Sequence, residues 1–451
     1  MTGRVLLVTE EPLRARLAGP AIRALELARA VAEVAEVDLV SLTACERTDD
    51  SIRLGHADTT ELRALVAAAG AVVLQGDVLG LQPWLAGTDV PIVVDAYDPF
   101  HLEQLEQARG LGEPRRRAVV RDAVRSLNRQ LGRADLVLAA SGRQRDLWLG
   151  HLAALGRVNP VTYDDDPGLH RLLAVVPFGV PLGRPAPAAT LPPGIEPGDR
   201  LLLWGGGLYD WFDPVTLVRA VAALVPAHPR VRLLFLGTRH PGAGSVGGAT
   251  EAATRQVAEE LGVAGQQVLF ADGWVPYDER AGWLAAAEIG VTTHLPHLET
   301  EFSFRTRVLD YLWAGLPVVT TAGDVMADLV AAEGLGAVVP PRDPAALAAA
   351  LDGLLADPAR RSAAAAASAR VAERYRWPLV AAPLLDFCRA PRRAPDLVLP
   401  AAERALLGIA DPAGAPPVWA RLAAARREGG LRLVARRAAA RLRPTHHPPA
   451  G

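Results

Sequence analysis

The chain has 451 residues, of which 50% are hydrophobic and 22% are charged, and its formal net charge is −2 at pH 7. This length exceeds what a single hydrophobic core supports, so we expect two or three domains, and the near-neutral charge argues against a nucleic-acid-binding protein. All 48 basic residues are arginine, which excludes P-loop NTPases and pyridoxal-phosphate enzymes because both need a lysine.

The cysteine content and the hydropathy pattern bear on the cellular compartment. The two cysteines, Cys45 and Cys388, are too few for a disulfide framework and favour a reducing compartment. No window contains roughly 18 uninterrupted apolar residues, and the apolar run near the first residue is too short for a signal peptide. We therefore expect a cytoplasmic protein.

Residues 1–180 alternate short apolar runs with helical segments. Helical patterns cover residues 21–34 and 115–131, and the runs between the helices are rich in valine and leucine. Strands separated by helices of this length indicate βαβ units and a parallel sheet, so this region is predicted to form one Rossmann-like domain. The predicted strands are Val5–Thr9, Val37–Leu42, Ala71–Gln75, Ile92–Asp95, Leu136–Ala140 and Leu173–Val176.

Residues 181–199 are proline-rich and lack hydrophobic periodicity, which is typical of an interdomain linker. The alternation restarts with the runs RLLLWGG, VRLLFLG, VLFADGW, IGVTTHL, PVVTTAG and GAVVPP, which predict a second Rossmann-like domain over residues 200–375. Two such domains leave a cleft, and α/β sheets bind ligands at the carboxyl ends of their strands. The predicted fold is therefore α/β, with two parallel-sheet domains facing a cleft, plus a basic C-terminal tail.

The tail over residues 389–451 differs in composition from the rest of the chain. It contains twelve arginines and four acidic residues, so the preceding residues carry a negative balance. Leu431, Val434, Ala438 and Leu442 recur on one helical stripe. This pattern is typical of a basic amphipathic helix on an anionic membrane surface, and a partly disordered tail is the alternative.

Residues 302–319, FSFRTRVLDYLWAGLPVV, predict a helix with arginines at its start. Phe304 begins the apolar repeat, and Arg305 and Arg307 lie in the first turn, where the helix dipole disfavours positive charge. If Ser303 caps this helix, the free amides and the two guanidinium groups form a site for a phosphate or diphosphate. Asp310 could then accept hydrogen bonds from ribose hydroxyls. The alternative is a surface ion pair between Arg307 and Asp310.

Two glycine-rich loops follow the first two strands of the second half. In WGGGLYDWFDP, the glycines that include Gly206 and Gly207 allow the backbone to approach a ligand closely, although glycines also serve ordinary turns. In LGTRHPGAGSVGG, a GxGxxG spacing occurs without a helix directly after it. Arg239 is therefore the better candidate for ligand binding in that loop.

The segment DAYDPFHLE, residues 95–103, places Asp98, His101 and Glu103 after a strand of the first half. Such a group can bind sugar hydroxyls or perform acid–base chemistry, and the alternative is a polar turn with an exposed histidine. No spacing typical of a metal site is present, so no metal is expected. HLPHLETE, residues 294–301, adds two histidines and two glutamates, including Glu301, beside the arginine-bearing helix.

The segment LAGPAIR, residues 17–23, opens the first long helix. Gly19 and Pro20 allow the chain to turn into it, and its first amides offer a second site favourable to anions. An ordinary helix start is equally compatible with these residues.

Taken together, the paired Rossmann-like halves, the hinge near VVPFGVP, the glycine-rich loop and LDYLWAGLPVV resemble the GT-B glycosyltransferases of family 4, over residues 4 to about 388. Residues 301–319 are similar to the family's E-x7-E region. Asp310 matches the second acidic position, whose family role is to bind the donor ribose. Phe302 occupies the first acidic position, with Glu301 one place and Glu299 three places away.

This resemblance implies which side of the cleft binds which substrate. Residues 1–180 would bind the acceptor, residues 200–375 would bind the nucleotide-sugar donor, and residues 376–388 would form a helix that crosses back onto the first domain. A histidine of the first domain serves the sugar and acceptor side in the family, and His101 matches it. No metal or other cofactor is normally needed.

The resemblance assigns a role to each candidate residue. The expected catalytic residues are His101, Asp98 and Glu301. The expected diphosphate-binding residues are Gly206, Gly207, Arg239, Ser303, Phe304, Arg305 and Arg307, and Asp310 binds the ribose. The expected acceptor-side residues are Gly19, Pro20, Arg23 and Glu103.

The predicted function is a retaining glycosyltransferase that moves a sugar from a nucleotide diphosphate sugar to a glycan or lipid-linked acceptor. The paired domains and the basic tail favour a role in cell-envelope synthesis at the cytoplasmic face of the membrane, with no nucleic-acid partner. The alternatives are a nucleotide-sugar epimerase or hydrolase of the same fold, and a non-catalytic nucleotide-sugar-binding subunit.

Overall fold

The computed structural model describes residues 3–186, 191–237, 248–271 and 274–409. The first domain is built on a seven-stranded sheet in the order β3-β2-β1-β4-β5-β6-β7, and its strand pairings are parallel. Its strands are β1 Arg4–Thr9, β2 Glu36–Ser41, β3 Arg53–His56, β4 Ala71–Gln75, β5 Ile92–Asp95, β6 Leu136–Ala139 and β7 Leu173–Val175. Its helices are α1 Gly19–Val31, α2 Thr59–Ala68, α3 Val78–Leu81, α4 Phe100–Gln107, α5 Glu113–Arg133, α6 Gly142–Ala154 and α7 Pro160–Asp165.

The second domain is built on a six-stranded parallel sheet in the order β10-β9-β8-β11-β12-β13. Its strands are β8 Arg200–Trp204, β9 Val231–Phe235, β10 Val268–Phe270, β11 Ile289–Thr292, β12 Val318–Thr321 and β13 Gly336–Val339. Its helices are α8 Pro214–Leu224, α9 Gly248–Glu260, α10 Arg280–Ala286, α11 Leu298–Phe302, α12 Thr306–Ala314, α13 Val325–Glu333, α14 Pro344–Ala356 and α15 Pro358–Ala372. This strand order is that of a Rossmann domain.

The predicted strands are confirmed because each is a short apolar run. The central strands are buried on both faces of their parallel sheets, whereas the edge strands β7, β10 and β13 are partly buried. One strand, β3, was missed from the sequence. Its residues Arg53–His56 lie at the edge of the first sheet, pair with β2 alone among the described strands, and are at most half-buried. An edge strand with this composition has no apolar signal that a sequence pattern could detect.

The chain returns to the first domain after α15. Val180 and Arg376 form an isolated bridge, and the helices α16 Trp377–Val380 and α17 Ala382–Arg389 then pack on α1. Leu384 and Phe387 of α17 are buried in the core that includes α1.

The first part of the predicted tail has a packed structure, which corrects the expectation for residues 389–409. Asp396 is fully buried and accepts hydrogen bonds from the Arg157 guanidinium at 2.7 and 3.2 Å. Arg393 donates to Asp135 at 3.0 Å, and a short helix, α18, follows at Ala401–Leu406. These contacts hold residues 389–409 on the first domain. The predicted amphipathic stripe of residues 431–442 lies outside the described residues.

Among the residues that the structure describes, no helix has both the length and the apolar character that crossing a membrane requires.

Candidate functional site

A cavity of about 400 Å³ lies between the two domains, where the carboxyl ends of both sheets face each other. The first domain lines it with residues that follow β1 and β5 and with the start of α1. The second domain lines it with residues that follow β8 and with the start of α12. This interdomain cavity is the cleft that the paired domains predicted, and most of the candidate residues face it.

The helix that carries the two arginines begins later than predicted. Ser303 is the C-cap residue of α11, and its hydroxyl donates a hydrogen bond to the Thr300 carbonyl at 3.0 Å. Arg305 occupies the N-cap position of α12 and makes no side-chain capping bond. The amides of Thr306 and Arg307 therefore precede the first intrahelical bonds, and both residues line the cleft. The predicted cap at Ser303 is wrong, but the free helix start does face the cleft.

Arg305 has carboxylate partners within the protein. Its guanidinium donates to both Glu299 oxygens, at 3.0 and 2.8 Å, and its Nε lies 3.6 Å from Asp324. Burial by itself would lower the pKa of Arg305, but the Glu299 and Asp324 carboxylates raise it. The charge of Arg305 is therefore compensated by Glu299. This glutamate lies three residues before Phe302, which occupies the first acidic position of the family pattern.

Arg307 is buried without a carboxylate partner among the described residues. Its side chain lies over the rings of Trp204 and Phe212, at 4.5 and 4.1 Å from their centroids, and one nitrogen donates to the Gly207 carbonyl at 3.2 Å. Its Nη1 has no hydrogen-bond partner within the described part of the chain. Burial lowers the pKa of Arg307 to about 10. An anion in the cleft would supply the missing partner.

The glycine-rich loop after β8 lies against α12. Gly206 has a φ of +99°, a conformation that favours glycine, and lines the cleft with Gly207. Tyr311 anchors this loop, because its hydroxyl accepts a hydrogen bond from the Gly205 amide at 2.8 Å and donates to the Val291 carbonyl at 2.9 Å. The loop is thereby held where its backbone meets Arg307.

Replacing Tyr311 with phenylalanine is expected to lower the free energy of unfolding by about 1–3 kcal/mol, because it leaves a backbone amide and a carbonyl without their partner. Chemical denaturation measures this change. Tyr163→Phe is the control, since that side chain is 53% exposed, and we expect it to change stability by less than about 0.5 kcal/mol. An equal effect of the two substitutions would contradict the anchoring role of Tyr311.

Asp310 lines the cleft on the second turn of α12, where the family resemblance would have it bind ribose. Its nearest cation is Arg280 of α10, whose Nε lies 3.6 Å from Asp310 Oδ1. The proposed alternative of an Arg307–Asp310 ion pair is therefore wrong. Arg280 also stacks on Tyr277 and Trp313, at 3.8 and 5.1 Å from their ring centroids.

On the first-domain side, Asp98 and Glu103 line the cleft and share a hydrogen bond. Burial and the nearby Glu299 raise the pKa of Asp98 to about 7. Burial and the adjacent Asp98 raise the pKa of Glu103 well above its usual range. Burial thus keeps at least one of the two carboxyl groups protonated near neutral pH, so the pair can both donate and accept a hydrogen bond.

His101, which the resemblance identified as catalytic, does not line the cleft. Its ring lies 5.8 Å from the Trp148 ring, inside the first domain, and burial lowers its pKa to about 4. On α4, His101 lies two residues before Glu103, so the two side chains leave the helix in different directions. The residues of this segment that line the cleft are Tyr97, Asp98 and Glu103.

Glu301 also lies outside the cleft. It is exposed and borders a separate surface pocket with Arg143 and Asp146, while Glu299, two residues earlier, is buried and lines the cleft. Glu299, and not Glu301, is therefore the acid of this segment that lines the cleft. Both glutamates were visible in the sequence, but the sequence alone did not show which of them faces the cleft.

Gly19 and Pro20 line the cleft at the start of α1, but Arg23 does not. The Arg23 side chain is fully buried and pairs with Asp95 at 2.8 Å, with further bonds to the Val176 and Pro177 carbonyls. The prediction that Arg23 faces an acceptor is therefore wrong, because each of its three guanidinium nitrogens bonds inside the domain.

Some expectations for the site remain untested. Arg239 and the other residues from 238 to 247 lie outside the described residues. The expectation that no helix directly follows the GxGxxG spacing is wrong, because α9 begins at Gly248. Within the described ranges, no three histidine, cysteine or carboxylate side chains are grouped as a metal site requires.

Comparison with known proteins connects the second domain to a family. Residues 199–357 match the family model described as Glycosyl transferases group 1. The D-inositol 3-phosphate glycosyltransferase of Thermobispora bispora is 31% identical over 218 residues, which covers 48% of this chain and 49% of that protein. The alignment thus spans about half the length of this relative.

Solved structures show the same fold across both domains. Sucrose-phosphate synthase from Thermosynechococcus elongatus aligns with a TM-score of 0.62 at 18% identity, covering 86% of this chain and 98% of that one. Anabaena HepE in complex with UDP-glucose aligns with a TM-score of 0.59 at 17% identity, covering 85% and 98%. The predicted GT-B fold is confirmed, and the match of residues 199–357 to Glycosyl transferases group 1 agrees with the predicted resemblance.

Proposed function

We propose that this GT-B protein, whose residues 199–357 belong to Glycosyl transferases group 1, is a retaining glycosyltransferase that uses a nucleotide diphosphate sugar. The observation that supports this most strongly is Arg307. It is a buried cation, 8% exposed, which lines the cleft beside a glycine-rich loop and a free helix start and has no carboxylate partner among the described residues. A diphosphate is the ligand that would compensate such a group.

The chemistry assigned to this site follows from where charge develops. The bond between the anomeric carbon and the diphosphate oxygen breaks, and an acceptor hydroxyl forms the new glycosidic bond on the same face of the sugar. Negative charge grows on the leaving diphosphate, where Arg307 and the amides of Thr306 and Arg307 can stabilise it. The acceptor hydroxyl loses its proton to the departing diphosphate.

The donor is proposed to lie on the second-domain side, with its ribose near Asp310. The structure of Anabaena HepE in complex with UDP-glucose supports a nucleotide-sugar donor for this fold. The acceptor is proposed to enter from the first-domain side, past Asp98 and Glu103. A role in cell-envelope synthesis, with residues 410–451 on an anionic membrane surface, stays a prediction.

A thermal-shift panel of UDP, GDP, ADP and TDP tests donor binding. We expect one of these nucleotides to stabilise the protein, by about 2.7 kcal/mol at one hundred times its dissociation constant. Arg307→Gln should reduce that shift, because the diphosphate loses its cation. The absence of any shift with millimolar nucleotide would contradict the proposed function.

An epimerase or hydrolase of the same fold, or a binding subunit without catalysis, remains the alternative. Mass spectrometry of the products formed from donor alone, and from donor with acceptor, separates these activities. Product from donor alone would favour the epimerase or hydrolase, and donor binding without any product would favour the binding subunit.

A further inference from the structure

The first-domain wall of the cleft is acidic. It presents the carboxyl side chains of Glu11, Asp98 and Glu103 and the amide side chain of Gln107. None of the arginines or histidines among residues 3–186, all of which the structure describes, lines the cavity. The positive charges of the cavity therefore come from the second domain, which is the proposed donor side.

One arginine of the first domain lies close behind this wall but cannot reach a ligand. The Arg23 guanidinium lies 5.0 Å from the Tyr97 ring centroid and 5.1 Å from that of Phe178, and both of these aromatic residues line the cleft. Its nitrogens are occupied by Asp95 and by two backbone carbonyls. Its charge is thus neutralised inside the domain and does not offset the wall.

Neither Asp98 nor Glu103 forms an ion pair among the described residues, although the charge of Arg305 acts on both carboxyl groups. Arg305 lines the same cavity, but both of its terminal nitrogens are bonded to Glu299. A negative charge on the pair therefore has no arginine of its own beside it. A phosphate ester beside it would experience like-charge repulsion, whereas a hydroxyl or an ammonium group would find hydrogen-bond acceptors.

We infer that the acceptor of this protein is a polyol without phosphate on the part that enters the cleft, and that its hydroxyl or ammonium groups bind the Asp98–Glu103 pair. This inference rests on the proposed function. It separates this protein from the relatives whose names specify D-inositol 3-phosphate as the acceptor. We attribute the difference in acceptor between this protein and these relatives to the charge of the first-domain wall.

One feature of the wall favours anions. The start of α1, at Gly19 and Pro20, presents backbone amides to the cavity, although proline contributes none. A phosphate placed there would share the cavity with the carboxyl pair. A measured preference for the phosphate ester would identify this helix start as its binding site and would overturn the inference.

Isothermal titration calorimetry on the full chain, saturated with the nucleotide found in the thermal-shift panel, tests the inference with three matched probes. These are myo-inositol, an aminodeoxy-inositol and D-inositol 3-phosphate. We expect the phosphate ester to bind at least ~10-fold more weakly than the other two, because a like charge placed in the cavity is penalised. Tighter binding of the phosphate ester, or equal or absent responses to all three, would overturn it.

Asp98→Asn combined with Glu103→Gln should abolish this discrimination, because the variant keeps the size of both side chains and removes their charge. Glu113→Gln, an exposed acid at the start of α5, is the control and should leave the discrimination intact. If the double variant keeps the discrimination, the nucleotide diphosphate causes it and the inference fails. If the unmodified protein binds none of the nucleotides, that result would instead count against the proposed function.

Discussion

Replacing Arg307 with glutamine is expected to lower kcat/KM by about 10²–10³, which is the usual effect of removing one donor that stabilises transition-state charge. The reason is that Arg307 is the cleft cation with no carboxylate partner among the described residues, so its charge is available to the leaving diphosphate. Steady-state kinetics with the identified donor measures the effect. Arg219→Gln is the matched control, because that arginine is exposed on α8 of the same domain.

The same substitution should not destabilise the protein. A buried guanidinium whose pKa falls to about 10 has lost hydration without gaining a counter-charge, so removing its charge relieves a desolvation cost. We expect the melting temperature of Arg307→Gln to equal or exceed that of the unmodified protein. A lower melting temperature together with the lower activity would indicate a structural role for Arg307. Activity within about twofold of the unmodified protein would remove Arg307 from the proposed chemistry.

Replacing Glu299 with alanine is expected to lower the free energy of unfolding by about 3–5 kcal/mol, because it leaves the buried Arg305 without its bidentate partner. Their side chains are 1% and 5% exposed, and Asp324 at 3.6 Å is the remaining acid beside Arg305. Chemical denaturation measures the change. Glu301→Ala provides a control two residues away, since that side chain is exposed and lies outside the cleft.

Glu299→Gln keeps the shape of the side chain and one hydrogen-bond acceptor, so it serves if the alanine variant fails to fold. We expect a smaller stability loss of about 1–3 kcal/mol, and a fall in activity that Glu301→Ala does not show. If Glu301→Ala instead lowered the activity while Glu299→Gln did not, the position predicted from the sequence would be the functional acid. The two variants thus decide which glutamate serves the cleft.

Much of the fold was predictable from local patterns. Every strand predicted from an apolar run is present, and the helix predicted within residues 302–319 is present over Thr306–Ala314. The glycines at 206 and 207, the helix start with Arg307, and Asp310 could also be assigned to one cleft, because residues that follow parallel strands meet at one edge of a sheet. The errors concern side chains whose role depends on a partner distant in the sequence.

The sequence by itself determined the two parallel-sheet domains, their order and several of the residues that line the cleft, since strand and helix formation follow from neighbouring residues. The tertiary structure decided which charges are compensated. It buried Arg23 against Asp95, 72 residues away, turned His101 into the first domain, and selected Glu299 over Glu301. Hydrogen-bond and charge pairing act over a few ångströms, and those distances exist only once the chain has folded.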